Sequence, residues 1–184
     1  MVKKNPAKPM SKARATNAPK STRELGATKA KKTEISPAEA EKQLAGFIAK
    51  FEPAMASRIR DVRAALRKRL PTAFEVVYDN YNFFVIGYCS TERPSDCILS
   101  IAANSKGVGL SFYYGSTLPD PTGILEGSGS QNRFVRIAGA ADVARPDIDA
   151  LIGAAAAQGK VPLPAEGSGR LIIKSISAKQ RPRR

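Results

Sequence analysis

The chain has 184 residues, 42% of them hydrophobic, and its 30 Lys+Arg against 16 Asp+Glu give a formal charge of +14. That length fits one domain with extensions, and that charge favours acidic partners. Wholly apolar runs such as Phe83 to Cys89 are far too short to span a bilayer, so no membrane partner is expected. The basic start is not followed by the apolar segment of about 7 to 15 residues that a secretory signal requires, and a cytoplasmic location is the default expectation. Histidine is absent, which excludes Ser-His and Cys-His catalysis and every zinc site that needs an imidazole. The residues present suggest no catalytic group, metal site or cofactor motif.

The charge is unevenly placed. Residues 1–34 hold ten cations against Glu24 and Glu34, a net of +8, and residues 179–184 add Lys179, Arg181, Arg183 and Arg184 with no acid. Residues 35–178 are close to neutral, with 16 cations and 14 acids. The first 34 residues have no aromatic side chain. Besides Lys they are mostly Ala, Pro, Ser and Thr, so they bury too little to offset the entropy of ordering and are expected to be a disordered basic tail. Dispersed lysines of this kind suit phosphate backbones, and a nucleic acid or another polyanion is the expected partner of the basic ends, with a purely solubilising role as the alternative. A transit peptide fits less well, because Lys outnumbers Arg eight to two there.

From Ser36 the pattern becomes globular. Ser36-Pro37-Ala38-Glu39 reads as a capping box opening a helix, whose buried stripe is Leu44, Phe47, Ile48 and Phe51. Pro53 restarts the run, and Met55, Ile59, Val62 and Leu66 form the apolar seam of a second helix that stops at Leu70-Pro71. Aromatic and β-branched residues then predict five strands: Phe74 to Tyr78, Tyr81 to Tyr88, Asp96 to Ala103, Val108 to Tyr114 and Arg133 to Ala138. Asp79-Asn80 and Asn104-Ser105-Lys106-Gly107 are the expected turns, and such short connections imply antiparallel pairing. Leu99, Ile101, Leu110 and Phe112 alternate with Ser100 and Ser111, so one face of the sheet should be buried and the other partly wet. Asp120-Pro121 suggests a one-turn helix through Leu125. Ile148, Leu151, Ile152 and Ala155 give a third helix ended by Gly159, and Leu171-Ile172-Ile173 suggests a last strand. The expected order is ααβββββαβ: a single α+β domain over 35–178, its mainly antiparallel sheet of five to six strands packed against two N-terminal helices and one C-terminal helix.

Three stretches, LPTAFEVVYDNYNFFVIGY, LPDPTGILEGSGSQNRFVRI and GRLIIKSISAKQRPRR, make the chain from Arg67 to Arg184 similar to the YdhG-like family of bacterial proteins of unknown function. The resemblance implies a compact α+β fold with frataxin-like relatives. It implies no established catalytic residue, and one branch of the family is described as an intracellular iron chaperone. That role needs clustered oxygen ligands. Here Glu39 and Glu41 fall about 200° apart on a helix and cannot share a face.

Four groups are candidates for chemistry. Arg60, Arg63, Arg67 and Lys68 project as one outward stripe of the second helix, able to grip phosphates or merely to be a solvated face. Tyr78-Asp79-Asn80-Tyr81 could hold a small ligand by stacking and hydrogen bonds, or simply make a tight turn. Arg133 beside Gly127-Ser128-Gly129-Ser130 could present a guanidinium and backbone amides to an anion, although no nucleotide fingerprint follows. Cys89 and Cys97 would stand opposite each other in a hairpin centred on Arg93, as free thiols or as a redox pair.

Overall fold

A computed structural model describes residues 35–184, within a compact unit spanning residues 34–184. The basic segment 1–34 lies outside the described residues. Of the expected capping box only the N-cap half forms, with Ser36 Oγ accepting from the Glu39 amide at 3.2 Å, and helix α1 runs over Pro37–Ile48. Helix α2 is Pro53–Arg69, with Pro53 in its first turn and three cations, Arg67, Lys68 and Arg69, in its last, where they complement the helix dipole. Strands β1 (Phe74–Asp79), β2 (Phe84–Cys89), β3 (Cys97–Asn104), β4 (Gly107–Phe112) and β5 (Arg133–Ile137) follow, then α3 (Pro146–Ala157) and β6 (Leu171–Ile176).

The domain is α+β, and its six strands lie in the order β5-β4-β3-β2-β1-β6. Neighbours from β1 to β5 pair antiparallel, whereas β6 returns through α3 and joins β1 in parallel, so the sheet is mixed. Gly169, just before β6, passes so close to the Ala73 carbonyl that any side chain there would collide with it. Val77, Ile86, Ile101, Leu110 and Val135 are successive partners across five strands. All are buried on the face that the helices cover. Leu44, Phe47 and Ile48 of α1, Ile59, Val62 and Leu66 of α2, and Ile148, Leu151 and Ile152 of α3 complete this core. The opposite alternation on the central strands carries Val85, Ser100, Ala102, Gly109 and Ser111, all partly exposed.

Two local expectations are corrected. Asp79 is the last residue of β1 and the next strand starts only at Phe84, so the turn is Asn80 to Phe83, closed by the Asn80 amide on the Phe83 carbonyl at 3.0 Å. Tyr81 is therefore a turn residue. The one-turn helix at Asp120 does not form. Its carboxylate instead accepts from the Ile124 and Leu125 amides at 3.0 and 2.9 Å, and Gly123 takes φ of 66°, so the would-be cap closes a turn with a left-handed residue.

Candidate functional site

The acidic and basic residues singled out along the chain meet very different surroundings. Asp79, expected at an open turn, is fully buried. Lys50 from the end of α1 reaches one of its oxygens at 2.5 Å, and Arg183 reaches the other at 3.1 Å. The Arg183 guanidinium also donates to the Asn80 and Asn82 carbonyls at 2.6 and 2.9 Å, and it lies 5.7 Å from the Phe51 ring. Segment 177–184 is thus bound down as a strap along the β1–β2 turn. The Ser177 amide donates to Asp79 O, the Arg181 amide to Tyr81 O, and the Arg181 guanidinium covers the Tyr81 ring at 5.6 Å. Arg184 adds a donor to the Ala49 carbonyl at 3.4 Å. This corrects the expectation of a free basic end at 179–184: a buried carboxylate needs partners, and Arg183 supplies its charge and its hydrogen bonds. Of those four cations, the Lys179 ammonium and the Arg181 guanidinium have no hydrogen bond or ion pair among the described residues, and Arg181 has only the Tyr81 ring.

The second-helix stripe divides in the same way. Arg63 is only 13% exposed, because α1 covers that flank of α2. Its guanidinium forks onto Glu41 of α1 at 2.7 and 2.8 Å and onto Glu75 of β1 at 2.6 and 2.9 Å. Burial opposes its charge, but the two carboxylates more than compensate and hold its pKa above the usual arginine value. The buried Tyr88 hydroxyl donates to Glu75 at 3.2 Å, closing the group. Arg67 shares Glu41 at 3.2 Å, whereas Arg60 and Lys68 are exposed and have no carboxylate partner among the described residues. Arg63 is a structural clasp rather than part of an outward stripe.

Arg133 turns its guanidinium onto the Gly129 and Asn132 carbonyls. It braces the glycine-rich loop instead of presenting a cation to an anion. Tyr78 lies on the open face, where burial raises its phenol pKa, but it does not reach the concavity of that face. Of the turn residues, Asn80 and Tyr81 do line that concavity.

The open face forms a groove of about 930 Å³, floored by Val85, Ser100, Ala102, Gly109 and Ser111. Small side chains in adjacent strands make the hollow. Three aromatic rings border it: Tyr81 and Phe83 from the β1–β2 turn, 48% and 43% exposed, and Phe134 from β5. Three cations, Arg58, Lys106 and Arg136, contribute to its lining, and no carboxylate does. Arg136 lies 5.6 Å from the Phe134 ring and reaches Glu126 outside the groove at 3.3 Å. A smaller hollow of about 410 Å³ shares Asn82, Phe83, Asn104 and Lys106 with the groove and adds Arg181 and Pro182 of the strap. The two form one concave surface. Its chemistry is that of aromatic faces interleaved with positive charge, which suits a flat or apolar group joined to an anion.

Phe83, Phe134, Lys106 and Arg136 carry no site signature in the chain alone. The available signal is the alternation of Ser100, Ala102, Gly109 and Ser111 against the core residues, which marks a face where something other than a helix fits. Among the described residues no group of three or more Cys, Asp or Glu is placed to hold a metal ion, and no helix is long and apolar enough to cross a membrane. No protein-family model, curated protein or solved structure matches the chain.

Proposed function

We propose that the protein is a noncatalytic binding module that takes phosphate-linked bases, as nucleotides or single-stranded nucleic acid, on the open face of its sheet. The observation that carries this reading is the groove itself: exposed aromatic rings and three cations around a floor of small residues, with no carboxylate in the lining. A base stacked on an aromatic side chain gains about 1–3 kcal/mol without regard to sequence, and cations along the same groove follow the phosphates. Its volume also suits a ligand of nucleotide size. The net +8 of residues 1–34 favours the same partner through sequence-independent attraction. The ααβββββαβ order supports the YdhG-like family resemblance as part of this proposal.

The test is fluorescence anisotropy or calorimetry of the full chain with a single-stranded oligonucleotide, a mononucleotide and a duplex at several salt concentrations. The single strand should bind in preference to the duplex, and Phe83→Ala should weaken it about tenfold, the equivalent of one base left unstacked. Replacing Lys106 and Arg136 should reduce the logarithmic salt slope by about 0.7 for each phosphate that is no longer neutralised. A mononucleotide that binds as tightly as the oligomer would confine the ligand to one groove. Equal binding of duplex and single strand, unchanged by Phe83→Ala, would overturn the groove reading and move the binding surface to Arg60, Lys68 and the basic segment 1–34.

A further inference from the structure

The open face carries a second chemical group that the groove does not use. Cys89 and Cys97 are the two cysteines of the chain, and both are free thiols. They are direct partners in the β2–β3 ladder, at a register shift beside Tyr88. A methyl group placed on Gly87 would come within 3.2 Å of Cys97 Sγ and 3.7 Å of Cys89 Sγ. Both sulfurs therefore converge over one backbone position that has no side chain. Directly opposed residues of an antiparallel pair have Cα atoms about 4.5–5.5 Å apart, inside the range that a disulfide spans.

The two thiols differ in access. Cys89 is 1% exposed, whereas Cys97 is partly open at the start of β3 and donates to the Leu99 carbonyl at 3.3 Å. Hydrogen bonding with Cys97 and burial both push the Cys89 thiol well above its ordinary pKa, while Asp96 and Lys174 act on it in opposite directions. This asymmetry gives the pair an entry sulfur and a resolving sulfur. An isolated buried cysteine needs neither a paired thiol nor a glycine beneath it.

We propose that Cys89 and Cys97 form a reversible dithiol–disulfide site that exchanges with a low-molecular-weight disulfide. The Cys97 thiolate attacks one sulfur of the small disulfide, forming a mixed disulfide and expelling one small thiolate. Cys89 then loses its proton and attacks Cys97 Sγ, and the second small thiolate leaves. The two protons released by the protein are taken up by the two small thiolates. The protein dithiol is oxidised by two electrons and the small disulfide is reduced to two thiols.

The test exposes the full chain to excess glutathione disulfide, then reads free thiols by alkylation and intact mass by mass spectrometry. Both thiols should disappear together, the mass should fall by two hydrogens, no glutathione should remain attached, and dithiothreitol should restore both thiols. Cys89→Ser, which lacks the resolving sulfur, should retain one glutathione on Cys97. Gly87→Ala, which sets a methyl against Cys97 Sγ, should slow closure and accumulate the mixed disulfide. Wild-type protein that keeps both thiols, retains glutathione, or links only between chains would overturn the proposal; these readings need no variant to fold.

Discussion

The two faces of one sheet use the same strands to opposite ends. On the covered face, charge is admitted only where it is matched: Glu75 meets Arg63 and Tyr88, and Asp79 meets Lys50 and Arg183. On the open face, Lys106 has no carboxylate partner among the described residues and Arg136 has one only outside the groove. Alternate residues of β3 and β4 therefore separate the packed core from the proposed binding surface. The lesson is that a cation's position along the chain says little about its availability, because Arg63 and Arg183 sit in basic runs yet are spent on internal carboxylates, whereas Lys106 sits in an ordinary turn and faces the groove.

Substitutions can break this division, beginning with the covered face. Leu66→Ala, at a fully buried position on the inward side of α2, should cost about 2–5 kcal/mol, measured by guanidinium unfolding. Arg63→Ala should cost about 3 kcal/mol, because it leaves the buried Glu75 carboxylate with only the Tyr88 hydroxyl and the more distant Arg67 at 3.8 Å. A loss near zero would place Arg63 on the solvent face, as its helical projection suggests. Arg183→Ala should cost less, about 2 kcal/mol, since Lys50 stays on Asp79. It should also free the β1–β2 turn, read as faster hydrogen exchange at the Asn80 amide.

Acid provides a subtler probe of the same clasp. Hydrogen bonding from Arg63 holds Glu41 below its ordinary value of 4.5. The stability this contributes is fully present above pH 4.5 and drains away as the pH falls through the lower folded value. Glu41→Gln should flatten that part of the stability profile, and an unchanged acid limb would show that the pair is not formed in solution. The smallest effect belongs to the open face: Arg136→Ala should change stability by no more than about 0.5 kcal/mol, so a larger loss would make Arg136 a structural residue.

Much of the fold is legible in local pattern. The Ser36 cap, the Ile59-Val62-Leu66 part of the second-helix seam and the serine alternation of β3 and β4 act over a few residues and appear where expected, while Ala56 rather than the half-buried Met55 begins the buried seam. What escapes local reading depends on chain segments far apart. Arg63 looks exposed until Glu41, 22 residues before it, and Glu75, 12 after it, are brought alongside. Asp79-Asn80 has ideal turn chemistry, yet a cation 104 residues away draws Asp79 into the strand's buried end. The cysteine pairing is legible because a hairpin joins neighbours in the chain. The groove is not, because Phe83, Lys106 and Phe134 come from separate turns and strands and share no local motif.

The clasp on Asp79 also dictates an order of events in the making of the molecule. Strand β1 is synthesised about a hundred residues before β6 and Arg183, the partners that close its outer edge and neutralise its terminal carboxylate. During that interval the nascent sheet has an open edge ending in a charge matched by Lys50 alone. Unpaired strand edges invite pairing with other chains, and long-range closure is slow. A wrong strand added at that edge would bury the Asp79 carboxylate without the Arg183 that completes its partners.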